Sequence, residues 1–330
     1  MRTALFLATV SLFGGCSQKV HIRALVPAEV DRMASTKKIA VARFENDRVG
    51  LSNKIEALLA KQTIDGKRYF TITDRSDLEK VLAEQKLQNS GLLDADDAVE
   101  IGNIVGAQAI VSGRVSRPSL QDTRFYEKRV SCADKECKKV YTYRIRCVKR
   151  TISLSADLKV IDVRAGDIIY ADTIGEKSTN SHCNDDSKSL LSLESGAQKL
   201  AESIARRFTY KLMPHYKYFD VVLLDDPDLD YTDKQERLLE NALEYIEQKR
   251  LDKAEKLLIR LINSTAQKSY VPLYNLGVIK EAQGKYAEAR EYYMMADDLT
   301  TEPIEEINEA VVRIKEVIQN DKKTKEQLRR

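Results

Sequence analysis

Tyr69 to Val115 reads YFTITDRSDLEKVLAEQKLQNSGLLDADDAVEIGNIVGAQAIVSGRV. Tyr69 to Thr73 alternates around Phe70 and Ile72, as a strand does. Asp74 or Ser76 can cap a helix over 77–87, whose apolar stripe is Leu78, Val81, Leu82 and Leu87. Ser90-Gly91 ends that helix. Asp94 or Asp96 caps the next, which carries Ala98, Ile101 and Val105 on one face. Gly102 and Gly106 let it pack closely or stop. Ala109 to Val115 is a second strand. Strand, helix, helix, strand in 47 residues defines an α/β domain.

The pattern extends to both sides. Upstream, Ile39 to Phe44 is apolar on both faces, as a covered strand requires. Leu51 to Leu59 is a helix, and Asp65-Gly66 a turn. Downstream, Thr151 to Asp162 alternates as a strand, residues 164–167 turn, and Ile168 to Ile174 pairs back. A helix over 188–212, with Leu190, Leu193, Ala197, Leu200, Ile204 and Phe208 at helical spacing, closes the domain.

The residues Asp74-Arg75, Leu78, Val81-Leu82, Glu84-Gln85, Ser90-Gly91, Gly102, Gly106-Ala107 and Gly113, with IAVARFEN at 39–46, resemble the CsgG/LpoB-like family. That is the family of the curli secretion channel and of a penicillin-binding-protein activator. The resemblance covers 39–212. It implies an α/β (α+β) domain with a mostly antiparallel sheet and helices packed against it. Asp74-Arg75 and Glu84-Gln85 suit caps and surface ion pairs rather than acid–base chemistry, which needs an enclosed pocket. The glycines form no phosphate loop.

At 330 residues the chain has room for two cores. The net charge of +3 argues against polyanion binding as a general property, so no nucleic acid is expected. Residues 1–15 read as a lipoprotein leader: Met1-Arg2, the apolar run Ala4 to Phe13, then Leu12-Phe13-Gly14-Gly15 before Cys16. This resembles a lipobox, which implies that Cys16 is lipidated. Ser17 in place of Asp then implies the outer membrane, with the body on its periplasmic face. No later segment is apolar enough to span a bilayer. Residues 16–38 read as a lipidated tether.

The other four cysteines, Cys132, Cys137, Cys147 and Cys183, fit an oxidising compartment. Cys132 and Cys137 can close a hairpin loop, and Cys147 and Cys183 can staple a strand to a second loop. Three pairings are open, and a zinc site with His182 is the alternative. These cysteines sit in and beyond an insert, 117–150, holding eleven Lys/Arg against four Asp/Glu. Only 141–147 alternates well. A barrel strand needs ~9–11 residues with a clean lipid face, and neither this hairpin nor polar 175–189 offers one.

Residues 214–232 read as a linker with a strand near 221–224. From 233 to 320 the chain is helical and repeats itself. Leu273, Leu276-Gly277, Gly284, Tyr286, Ala289, Tyr293 and Ala296 sit where a tetratricopeptide repeat has its interlocking residues, and Leu238, Ala242, Tyr245, Ala254 and Leu258 form a weaker first unit. Ala254 and Ala289 are 35 residues apart, against ~34 for that repeat. Lys280 replaces the family's usual Tyr. The last helix, 304–319, is a solvating cap, and 321–330 a charged tail. Such repeats present a concave groove for a peptide or helix.

The sequence therefore predicts a non-enzymatic, cofactor-free adaptor or assembly factor of the cell envelope. It would be anchored through Cys16 and bind a protein partner through its repeats, with a homo-oligomer as a further partner. The alternatives are a channel component for surface appendages and an activator of a peptidoglycan synthase. No nucleophile–base motif or metal pair supports a hydrolase.

Overall fold

The computed structural model describes residues 18–84 and 95–330. In chain order the elements are β1 (Lys19–Val26), a 3-10 turn (Asp31–Ser35), β2 (Lys38–Val41), α1 (Leu51–Lys61), β3 (Thr63–Ile64), β4 (Lys67–Arg68), β5 (Thr71–Ile72), α2 (Arg75–Glu84) and α3 (Ala95–Val105). There follow β6 (Ala109–Val115), β7 (Ser119–Cys132), β8 (Val140–Asp162), β9 (Asp167–Cys183), α4 (Leu193–Leu212), β10 (His215–Val222), α5 (Asp233–Glu247), α6 (Leu251–Ser264), α7 (Tyr270–Ala282), α8 (Tyr286–Asp297) and α9 (Glu305–Arg329). The chain forms two compact units. One, the sheet domain, comprises 27–215 and 326–330. The other, the helical domain, comprises 18–26 and 216–325.

The sheet is mixed. β2 lies between β5 and β6, parallel to both. β6 and β7 follow one another along one edge of β8, and β9 takes the other edge, all antiparallel. Period-2 alternation sorts the strand residues. Ile39, Val41, Val111, Leu154, Leu158 and Val160 face Ile55 and Leu59 of α1 and Leu200, Ile204 and Phe208 of α4. Ala40, Ala42, Ile110 and Ile161 face Leu78, Ala98 and Ile101 of α2 and α3. A Cβ on Gly102 would lie 2.3 Å from Val163 Cγ2, so a glycine there lets α3 seat on the sheet.

Local signals explain the helix starts. Asp74 caps α2, accepting from the Ser76 N–H at 2.8 Å, and this bond holds its carboxyl below the usual range. Arg75 turns back to Glu56 and Asn53 of α1. The pair Asp74-Arg75 is thus a cap and a brace. Asp47 caps α1 by accepting from the Leu51 and Ser52 N–H groups, and Ser192 caps α4. The side chains of Leu82 and Glu84, and all of Gln85 to Asp94, Leu87 among them, lie outside what the structure describes.

Several sequence boundaries move. The strand expected at 69–73 shrinks to Thr71–Ile72, because the Tyr69 N–H donates to the Gln62 carbonyl and pairing beside β2 starts only with the Thr71 N–H on Lys37. β8 is one 23-residue strand where two were expected. β9 continues through polar 175–183, where no strand was expected. Its backbone finds partners on β8, from Asp162↔Asp167 to Cys147↔Cys183, and needs no apolar face to do so. α4 starts at Leu193 instead of 188.

Residues 16–38 are no tether where described. β1 pairs with β10, with Leu223 N–H donating to the Gln18 carbonyl, and Val20, Ile22 and Ala24 enter the helical core. The linker 214–232 is therefore partly strand. The tail 321–330 is helical to Arg329, and its end belongs to the sheet domain. Gln327 donates to the Ala28 carbonyl at 3.0 Å and accepts from its N–H at 2.8 Å, and Arg330 pairs with Asp31.

His215 stacks on Tyr210, with ring centroids 4.2 Å apart. Burial lowers its pKa below the ordinary 6.5, outweighing its contact with the Met213 carbonyl. The unfolded chain then takes up a proton at about pH 6.5 that the folded chain resists. Stability is complete above that pH and falls as pH drops below it. His215→Phe should flatten this slope in denaturation midpoints measured from pH 7.5 to 5. An unchanged slope would assign the dependence to other groups.

Candidate functional site

Two features stand out from the two cores: a stapled ribbon on the sheet domain and the repeat face of the helical domain.

The ribbon is the far part of the β7–β8 hairpin. The register runs from Ser119↔Ser153 to Cys132↔Val140. β9 accompanies β8 as far as Cys147↔Cys183, and beyond that only two strands remain. Disulfides close both ends of this two-stranded part. Cys132–Cys137 ties the loop, with Cα atoms 4.8 Å apart, and Cys147–Cys183 ties β8 to the end of β9, with Cα atoms 4.0 Å apart. Of the three pairings open in the sequence, this is the one present. It leaves these four sulfurs no thiolate for zinc. His182 instead faces the Lys188 carbonyl at 2.6 Å.

The two faces of the ribbon differ. Side chains of directly paired residues share a face. One face carries Phe125, Glu127, Arg129, Tyr141, Tyr143, Ile145 and Cys147. Its charges are paired: Arg129 bridges Glu127 at 2.7 Å and Asp185 at 3.2 Å. The other face carries Arg124, Tyr126, Lys128, Val130, Val140, Thr142, Arg144 and Arg146. Lower down, Asp122 is held by Arg150 at 2.7 and 2.8 Å, and its carboxyl stays below the usual range.

The staples should differ in worth. In the chain-entropy account the 36-residue closure at Cys147–Cys183 contributes about 4 kcal/mol and the 5-residue closure at Cys132–Cys137 about 2. Cys147→Ala with Cys183→Ala should therefore lower unfolding stability more than Cys132→Ala with Cys137→Ala. Urea denaturation of the two double variants checks the order, and an inverted order would refute it.

In the helical domain the repeat is visible as hydrogen bonding. At the α5–α6 turn, Gln248, Lys249 and Arg250 N–H donate to the Glu244, Ile246 and Tyr245 carbonyls. At the α7–α8 turn, Gln283, Gly284 and Lys285 N–H donate to Ile279, Glu281 and Lys280. Each bond recurs at an offset of 35. Lys249 and Gly284 both have positive φ, 60° and 75°. The expected interlocking residues meet: Ala242, Ala254, Leu276, Ala289, Tyr293 and Ala296 are buried, and Tyr245 and Tyr286 pack at the margin. A Cβ on Gly277 would come within 2.6 Å of the Tyr293 ring, which is why α7 and α8 approach so closely there.

Lys280, the departure from the repeat pattern, is 6% exposed and is held by Glu255 at 3.1 Å and Glu288 at 2.5 Å. Burial opposes its charge, yet those bonds raise its pKa above the ordinary value. It ties α6, α7 and α8 together.

The open groove expected of stacked repeats is filled on α7, which is buried from Val271 to Glu281. The Asn275 side chain accepts from the Leu224 N–H at 3.0 Å and donates to its carbonyl at 2.7 Å. Tyr274 donates to the Val222 carbonyl at 2.8 Å. Asp228 accepts from Ser269 and from the Tyr270 N–H. β1 adds Val20, Ile22 and Ala24 to the same core. The protein's own residues 18–26 and 221–228 thus cover this face of α7. Sequence reasoning missed this, because Asn275 and Asp228 carry no signal of distant partners.

A mixed sheet covered by helices on both faces, extended by a disulfide-stapled ribbon and followed by paired helices, defines an α+β domain joined to an all-α one. Residues 32–188 match the family model of the curli production assembly/transport component CsgG. The chain matches no curated protein. No described helix is long and apolar enough to cross a membrane.

Proposed function

We propose that this protein is a lipid-anchored, non-enzymatic assembly factor of the cell envelope, held at the periplasmic face of the outer membrane and acting as an adaptor. The observation that supports this most is the joining of a curli-assembly-family domain to helix pairs that repeat at 35 residues. The family description, assembly and transport, comes to this chain as an expectation of role. The helical domain supplies the partner surface. Because the face of α7 is filled from within, that surface lies on its outer residues, among which Ile259, Met295, Leu299 and Val312 are exposed.

Lipidation at Cys16 gives this adaptor a short reach. β1 begins at Lys19, so residues 17 and 18 span at most ~7 Å. The anchor would join directly to the helical domain. That disfavours activation of a distant synthase, which a long free tether would have served. The channel reading has strands of sufficient length, since β7 has 14 residues against ~9–11 needed. However, both ribbon faces carry charge, so neither makes a lipid face.

Photo-crosslinking side chains at Val312, Met295 and Ile259 of the full chain, activated in intact envelopes, test the adaptor. The expected product is an adduct with one other protein, identified by mass spectrometry and lost when Leu299→Glu is added. No adduct, or adducts of this chain with itself alone, would overturn the reading. Self-adducts together with a ring-shaped particle and ion conductance would point to the channel.

A further inference from the structure

The cationic face of the ribbon belongs to neither core, and apart from the attraction between Arg124 and Asp122 at its base its cations have no partner within the described residues. Arg124, Lys128, Arg144 and Arg146 share it by register. None of the four makes an ion pair or side-chain hydrogen bond, whereas Arg129 on the opposite face makes two ion pairs. Between Arg124 and Cys132, and between Val140 and Val148, this face has no acidic residue. The loop beyond adds Lys135, Lys138 and Lys139 against Asp134 and Glu136. Asp134 is occupied in accepting from the N–H groups of Lys138 and Lys139.

Among the cations stand three large apolar side chains that the fold leaves in water: Tyr126 at 63%, Val130 at 67% and Val140 at 60% exposure. Val130 and Val140 lie toward the tip, with Tyr126 two positions nearer the base, beyond Lys128. An apolar tip set among cations is costly in water unless something covers it. The ribbon is thin and has no concavity of the kind that encloses a peptide or small ligand. A flat, fluid, anionic surface suits it better. There Arg and Lys stems lie along the apolar boundary with their charges among phosphates, while Tyr and Val enter below them.

We propose that the β7–β8 ribbon is a membrane-contact device that docks its Arg124/Lys128/Arg144/Arg146 face onto anionic phospholipid, with Tyr126, Val130 and Val140 entering the headgroup layer. The two disulfides keep the ribbon flat and its register unchanged at such a surface. The contact is separate from the N-terminal lipid and does not rest on the adaptor reading. It also differs from a barrel strand, because the ribbon lies on the surface and its other face keeps paired charges.

The chain has no tryptophan, so Tyr126→Trp places a single fluorescent reporter on this face. The full chain carrying it is mixed with vesicles of phosphatidylcholine alone or with 30% phosphatidylglycerol (about one lipid in three). An N-terminal lipid would hold the chain on both kinds of vesicle, so the reporter reads ribbon contact rather than attachment. The expected result is a blue shift and quenching by brominated acyl chains with the anionic vesicles alone, reversed by high salt. Each cation near such a surface contributes roughly fivefold in affinity. Arg124→Gln, Lys128→Gln, Arg144→Gln and Arg146→Gln together should raise the midpoint lipid concentration at least about a hundredfold. A circular dichroism spectrum and a cooperative thermal transition like those of the parent chain show that the variant is folded. Equal signals on neutral and anionic vesicles, or an unchanged midpoint in the fourfold variant, overturn the proposal. A shift with polyglutamate but not with vesicles also overturns it, in favour of an acidic protein.

Discussion

Arg313→Met is expected to lower the stability of the helical domain by about 3–5 kcal/mol, the range for breaking a buried ion pair from one side. Its partner, Glu281, has no solvent exposure at all. The Glu281 carboxylate accepts from Tyr293 Oη at 2.6 Å and from Arg313 Nε and Nη2 at 3.1 and 3.0 Å. The Arg313 guanidinium also stands over the Phe219 ring, 5.6 Å from its centroid. Burial works against the Arg313 charge, yet the Glu281 bonds outweigh it and hold its pKa above the ordinary value. The Tyr293 hydroxyl is pushed well above its ordinary range, by burial first and by the Glu281 charge second.

Without Arg313 the carboxylate stays buried with a single neutral donor. Adding Glu281→Gln to Arg313→Met removes both charges and should recover much of the loss, since replacing a whole buried pair is often close to neutral. Urea denaturation followed by helical circular dichroism measures both variants. A loss under about 1 kcal/mol for Arg313→Met would show that water reaches the carboxylate.

The second large effect is expected near the N-terminus. Ile22 is 1% exposed and sits in one core with Val221, Leu223, Leu276 and Tyr293. Ile22→Ala should cost about 2–5 kcal/mol, as buried Ile truncations do. Ile22→Asp should cost more, because it also buries an unpartnered carboxyl. In a tether the same changes would fall within about 0.5 kcal/mol. Thermal unfolding of the two variants separates the cases, and wild-type melting of Ile22→Asp would restore the tether. The result also bears on function, since a strand locked into the helical core cannot pay out length toward a distant partner.

The alternation at Ile39 to Phe44 was readable as a doubly covered strand, and the two cores divide Ile39 and Val41 from Ala40 and Ala42. The spacing of Ala254 and Ala289 was readable as a repeat, and the turn hydrogen bonds recur at that spacing. Both are short-range periodicities, written into neighbouring residues by the geometry of strand and helix. The role of Asp74-Arg75 was also legible, because caps act within one turn. The groove was not. Its filling depends on Asn275 meeting Leu224 and on β1 meeting β10 across some 200 residues.

By itself, then, the sequence determined the period-coded elements, the two-domain order and the family resemblance that residues 32–188 bear out. Tertiary structure decided the rest. It paired Cys132 with Cys137 and Cys147 with Cys183 out of three possibilities. It made polar 175–183 a strand by offering a ladder partner. It turned a supposed tether into core and separated the ribbon's free cations from its paired ones. The physical reason is common to all four. Ladder bonds, disulfides and face-sharing join residues far apart in the chain, and no local pattern of residue types encodes which distant partner a backbone group or sulfur will meet.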